Sequence, residues 1–275
     1  MKKILTILAA AMFIFASCDK IDNDEYIVFA GANGTWYDSE MEEIPSVQRA
    51  FLEKYTGVRC VNCPAADEAI HIASEKYGDK LIVAAIHAAN NFGKPIGNDP
   101  DLRTDKGSIW FNEFIGSLGL PAAMVNRNTE DLFTPTSGID DRVDNAIVQQ
   151  PKVSLFMKAE YSTSASYAEV HLGFDQDVND ALTLTVLIVE DKIHTTQLSG
   201  HDQIENYEQN HVLRDIITDP WGIDVDADGH KGTKRMVRLP FNLRSDCNPD
   251  NCHIIAFISD KSSKKILNVV QCDFE

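Results

Sequence analysis

The sequence predicts an α/β domain followed by an all-β sandwich domain, and two observations carry that reading. Between residues 46 and 150, an apolar strand, a Cys-x-x-Cys, an amphipathic helix and a continuous apolar strand follow one another. That is the order of a βαβ unit. After Pro151 the hydrophobic pattern changes to period two over several short runs, as half-buried strands require. Of 275 residues, 44% are hydrophobic and 24% charged, enough apolar material for two cores.

The N-terminus sets the compartment. Lys2 and Lys3 precede Ile4 to Ala16, in which only Thr6 is polar; this is the charge order and length of a secretory signal and too short for a membrane span. Phe15-Ala16-Ser17-Cys18 resembles a lipobox, so residues 1–17 are expected to be removed and the Cys18 thiol to receive lipid. More than one acyl chain anchors a protein stably without spanning the bilayer. Residues 18–45 then form a lipidated tether and N-terminal extension, beginning with the polar, acidic Asp19 to Glu25. Acidic residues behind a lipidated Cys resemble a sorting signal for the outer membrane or cell surface.

Val47 to Tyr55 alternates and is expected to be a strand. Pro64 suits the first helical turn, because its missing N–H would have no partner there. Ala66, Ile70, Ala73 and Tyr77 follow at helical spacing, with Gly78 as a stop. Leu81 to Ala88 is apolar throughout, as in a strand buried on both faces. Residues 90–106 are expected to be a long loop, Phe111 to Leu118 a helix stopped by Gly119, and Ala122 to Val125 a short strand. Ser137-x-x-Asp140 resembles a capping box for a helix carrying Ile139, Val143, Ala146 and Ile147. Sandwich strands are expected from Val153, Tyr167, Leu182, Arg235, Ile254 and Ile266, with a long polar connection over about 191–233.

The formal net charge of -17 becomes -19 once Lys2 and Lys3 leave with the signal. Such a surface repels nucleic acid, so no nucleic-acid partner is expected. Neither a Gly-x-Ser-x-Gly elbow nor a His-Glu-x-x-His pair occurs, which argues against the hydrolases that use them. The expected partners are the membrane, through Cys18, and other exported proteins.

Cys60-Val61-Asn62-Cys63 carries the strongest chemical signal. Two cysteines at the mouth of a helix after a strand form the thioredoxin-type arrangement, in which the helix N-terminus favours the first thiolate. Arg59 adds a cation beside it. Cys60 would attack a disulfide and Cys63 would resolve the mixed disulfide; this chemistry needs no cofactor. A zinc site would need a second suitably spaced pair, and Cys247-x₄-Cys252 lies in the other domain. Pro121 sits between helix and strand, where thioredoxin-like folds place a cis-proline opposite the CxxC. His87 ends the buried strand at the edge where parallel sheets present their sites, and it is a candidate to tune the dithiol.

Two further clusters are weaker. Asp224-x-Asp226-x-Asp228-Gly229 resembles the opening of a calcium loop. Arg235 stands where such a loop needs its bidentate Glu, so an acidic surface loop is the main expectation and no metal is assigned. Cys247 and Cys252 are expected to close a structural disulfide across the Asn248-Pro249 turn. The rival pairing is Cys252–Cys272 in the last hairpin. Five cysteines after Cys18 leave an odd thiol.

Tyr55-Thr56-Gly57, Cys60 to Pro64, Gly119-Leu120-Pro121, Asn126-Arg127, Asn206-Tyr207 and Asn210 to Arg214 together resemble the lipoproteins related to the 28-kilodalton outer membrane protein. The resemblance covers nearly the whole mature chain. It implies a thioredoxin-like domain (46–150) followed by a β-sandwich domain (151–275) on an outer-membrane lipoprotein. Two positions depart from efficient thioredoxins: Lys54 replaces the buried acid six residues before Cys60, and Arg59 replaces the usual Trp. Two functions are therefore expected as alternatives. One is thiol–disulfide exchange on exported proteins through Cys60 and Cys63. The other is a surface binding or adhesion lipoprotein whose Cys60–Cys63 disulfide is structural.

Overall fold

The computed structural model describes residues 34–162 and 165–275. The expected signal 1–17, the lipidation site Cys18 and the acidic segment behind it lie outside the described residues. In chain order the strands are β1 (Trp36–Asp38), β2 (Ala50–Thr56), β3 (Leu81–His87), β4 (Ala122–Val125), β5 (Val153–Glu160), β6 (Tyr167–Phe174) and β7 (Leu182–Glu190). They continue as β8 (Ile193–Ser199), β9 (Asp202–Gln209), β10 (Val212–Ile216), β11 (Ile223–Asp224), β12 (Lys234–Pro240), β13 (Cys252–Asp260) and β14 (Ile266–Asp273). Among the described residues there are also three α-helices, α1 (Cys63–Tyr77), α2 (Asp105–Phe114) and α3 (Ile139–Ile147), and four single-turn 3-10 helices. The protein is thus mostly β-sheet. No described helix is long and apolar enough to cross a membrane.

One sheet runs through the molecule in the order β14-β13-β7-β10-β3-β2-β4, with β11 also on β7. β2 and β3 are parallel over their full lengths, β4 is antiparallel to β2, and β10 is parallel to β3. A second sheet, β1-β12-β6-β5, lies over the β7/β13/β14 part of the first and makes the sandwich. Successive side chains of a strand point to opposite faces, and β7 divides its residues accordingly. Val186 and Ile188 enter the sandwich core, while Leu187 and Val189 enter the core under α2. β2 does the same. Ala50 and Leu52 meet Ile70, Ala73, Ile139 and Val143 of α1 and α3, whereas Phe51 and Tyr55 meet Trp110 and Phe111 of α2.

Three expectations are corrected. α2 begins at Asp105, inside the expected loop, because the Thr104 hydroxyl accepts from the Gly107 N–H at 2.9 Å and caps it. The residue before α3 is Gly138, at φ 73°, and no side chain caps that helix, so Ser137 is not its cap. The polar stretch 191–233 is not a connection but holds β8, β9, β10 and β11. Many of its polar residues sit on β8–β9, which pair with each other as a separate two-stranded ribbon.

Candidate functional site

β2 ends at Thr56, and the chain turns at Gly57 toward the N-terminus of α1. A Cβ at Gly57 would stand 2.4 Å from the Phe92 carbonyl oxygen, so only glycine lets the two backbones approach. Arg59 N–H donates to that same oxygen at 2.9 Å. Cys60 and Cys63 are joined by a disulfide with Cα atoms 5.4 Å apart. Cys63 opens α1 with Pro64 behind it, the Asn62 side chain does not cap the helix, and the first turn contains no acid. The positive end of the helix thus lies beside the Cys60 sulfur, bonded to Cys63 at its first position, with neither a side-chain cap nor a first-turn acid to compete for it.

The Leu120–Pro121 peptide bond is cis. Gly119, Leu120 and Pro121 line one groove of about 570 Å³ with Val61, Asn62 and Ala65. The structure thus brings Pro121 to the CxxC loop. Arg59 lies nearby in sequence but turns aside, donating from Nε to the Lys94 carbonyl at 2.9 Å and from Nη2 to the Pro95 carbonyl at 2.7 Å. His87 pairs with Thr56 across the β2–β3 register. It is 2% exposed, and neither ring nitrogen has a hydrogen-bond partner. Burial first, and then the charge of Lys54, lower its pKa to about 3. It is a neutral imidazole at physiological pH.

The β8–β9 ribbon lies over the CxxC loop. Leu198 N–H donates to the Val58 carbonyl at 2.8 Å and Gly200 N–H to the Val61 carbonyl at 3.1 Å. Gln197 Nε2 donates to the Cys60 carbonyl at 3.1 Å. Cys60 is left 2% exposed and Cys63 1%. On the other side of α1, Lys54 pairs with Asp67, and the Tyr207 hydroxyl donates to Asp67 Oδ2 at 2.9 Å. Burial and then the Asp67 carboxylate hold the Tyr207 phenol well above its usual range. These groups line a cavity of about 720 Å³ that also reaches His71 and His211. Asp67 and Gln197 were missed in the sequence; Asp67 stands one helical turn after Cys63, a spacing that could have pointed to it, whereas no local pattern marks Gln197.

The remaining candidates lie apart. Asp224 pairs with Lys261, Asp226 with Arg235, and Asp228 Oδ1 accepts from His230 N–H and the Thr233 hydroxyl. Cys247 and Cys252 are free thiols whose sulfurs lie within 4.8 Å of each other. Cys272 faces Ile254 across the last hairpin and not Cys252. Its thiol is pushed up to about 12 by burial and the acids of the C-terminus.

A family model described as outer membrane protein Omp28 matches residues 110–275. Among solved structures, HBP35 of Porphyromonas gingivalis superposes with a TM-score of 0.65 at 17% identity, over 84% of this chain and 77% of that one. A structural-genomics protein from Agrobacterium tumefaciens superposes with a TM-score of 0.54 at 16% identity, over 84% of this chain and 96% of that one. A domain of the outer membrane lipoprotein Omp28 from Porphyromonas gingivalis aligns at 19% identity over 46% of this chain and 89% of its own, with a TM-score of 0.31. The first two are similar in fold alone. No curated protein matches the chain.

Proposed function

The chain belongs to the outer membrane protein Omp28 family, and from that premise we propose that it is a lipid-anchored envelope protein exchanging disulfides with exported proteins through Cys60 and Cys63. The proposal takes residues 46–150 as a thioredoxin-like domain and 151–275 as a sandwich domain. It takes Cys18 as the lipid attachment. The observation that carries it is the groove in which Val61 and Asn62 of the CxxC face Gly119, Leu120 and Pro121. An extended peptide laid there would bring its own sulfur to the helix tip. In the reduced protein the Cys60 thiolate attacks a substrate disulfide, forming a mixed disulfide and releasing one substrate sulfur as thiolate. Cys63 then gives up its proton and attacks Cys60, releasing the second sulfur. Two electrons and two protons pass to the substrate.

An insulin-reduction assay with dithiothreitol as electron donor tests this. Cys60→Ser is expected to lose turnover, and Cys63→Ser to accumulate mixed disulfides. Wild-type turnover by Cys60→Ser would overturn the proposal.

The burial of both sulfurs under the ribbon favours a second reading, a binding lipoprotein in which this disulfide is a structural crosslink. The two differ in reduction potential. A couple below about -300 mV would mark the crosslink.

A further inference from the structure

A second pair of thiols meets at the start of β13. Cys252 opens β13 opposite Glu190, the last residue of β7. Cys247 precedes it on a loop folded back by the Asn248 turn, in which Asn251 N–H donates to the Asn248 carbonyl at 3.0 Å. The two sulfurs and a carboxylate oxygen of Glu190 all lie within 4.8 Å of one another. Arg214 of β10, 3% exposed, reaches into the same cluster. Its Nε donates to Cys247 Sγ at 3.3 Å and stands 3.1 Å from Glu190 Oε2, while Nη2 donates to Asp246 Oδ2 at 2.8 Å. Cys247 is partly exposed and Cys252 is 3% exposed.

An accessible sulfur held by a cation, backed by a buried sulfur in reach of it, is the division of labour of a reactive dithiol. An inert crosslink would not need a buried guanidinium on one of its sulfurs. A metal site would need that guanidinium to give way, since it already occupies both Cys247 and Glu190. We propose that Cys247 and Cys252 form a second thiol–disulfide couple, with Cys247 as the attacking sulfur, Cys252 as the resolving sulfur and Arg214 as a positioning residue. The hydrogen bond from Cys252, and then Arg214, hold the Cys247 thiol below its usual range. The same bond and burial hold Cys252 well above it. The couple is independent of the chemistry at Cys60 and Cys63.

The co-reactant is an exposed disulfide. Cys247 thiolate attacks one of its sulfurs, a new S–S bond forms, and the other sulfur leaves as thiolate and takes up a proton. Cys252 then loses its proton and attacks Cys247 Sγ, closing the Cys247–Cys252 bond and releasing the second sulfur. Two electrons and two protons pass from the dithiol to the co-reactant.

The test uses the full mature chain, reduced and freed of reductant, with peptide mapping to separate the cysteines. Iodoacetamide at pH 7 is expected to modify Cys247 at least about tenfold faster than Cys272, the factor of one pKa unit. Oxidised glutathione is expected to close Cys247–Cys252, and in Cys252→Ser to leave a lasting adduct on Cys247; oxidised insulin in parallel tells a protein disulfide from a small one. Arg214→Met is expected to slow Cys247 modification about tenfold, with Arg214→Lys recovering part of the rate. Should either variant fail to fold, the order of modification in the unaltered chain decides. A Cys247–Cys252 bond that stays closed in excess dithiothreitol under native conditions would overturn the proposal. So would an adduct on Cys252 in place of Cys247, or stoichiometric zinc that shields both thiols.

Discussion

At His87, burial leaves an imidazole with no hydrogen bond to either nitrogen and with Lys54, Asp101 and Arg214 as its charged neighbours. The unfolded chain takes up that proton near pH 6.5, but the folded chain takes it up only near 3. Between those values the unfolded state binds one more proton. Stability is therefore full above 6.5 and falls by about 1.4 kcal/mol for each pH unit below it. His211, partly exposed but with its pKa also lowered by desolvation, acts in the same sense. His253 acts in the opposite one, because Asp191 and Asp273 hold its proton in the folded state. His87→Leu is expected to flatten the decline of the urea midpoint between pH 6.5 and 4.5; an unchanged slope would refute the assignment. On the opposite face of β2 from Lys54, Glu53 is paired with Arg127, whose guanidinium carbon lies 4.3 Å from the Trp110 ring centroid and 4.8 Å from that of Phe257. The cation is desolvated and satisfied by a carboxylate and ring faces together.

At the scale of elements, the β8–β9 ribbon decides how open the CxxC is. Gln197 is its pin, since Nε2 donates to the carbonyls of Cys60, Gly57 and Leu198 at 3.1, 3.4 and 3.0 Å. Gln209 Nε2 in turn donates to Gln197 Oε1 at 3.0 Å. The Gly57 and Cys60 carbonyls each keep a backbone partner, the N–H of Cys60 and of Cys63, so removing the amide costs the net worth of its own hydrogen bonds, about 0.5–1.5 kcal/mol each. Gln197→Ala is therefore expected to open the ribbon more often and to speed native-state reduction of Cys60–Cys63 by about tenfold, the factor for 1.4 kcal/mol. Equal rates of reduction by dithiothreitol would show that the ribbon does not gate the disulfide.

On the scale of the whole molecule, the hydrophobic pattern changes at Pro151, but the hydrogen-bonded sheet continues past it. β10 pairs with β3 on one side and β7 on the other. The core under α2 contains Trp110 and Met124 together with Leu187, Phe257 and Val269. Losing either part would expose the shared face of the sheet, so unfolding is expected to be one cooperative transition. Trp36 lies in the sandwich core and Trp110 under α2. Single-tryptophan variants reporting from each should give coincident urea curves, and separated midpoints would contradict the shared core.

Nine strands, β2 to β7 and β12 to β14, were legible in the residues alone, because period two and continuous apolar runs are local consequences of which faces are buried. So were α1, from Pro64 and Gly78, and the CxxC at its tip. The family resemblance was carried by short runs such as Asn210 to Arg214. What covers the disulfide, the meeting of Lys54 with Asp67 and the reach of Arg214 to Cys247 came from the three-dimensional packing. Those contacts join residues far apart in the chain, and no periodicity encodes which strand becomes another's neighbour. The ribbon is illegible for a different reason: β9 is mostly exposed, so it lacks the apolar alternation that marks a strand in a core.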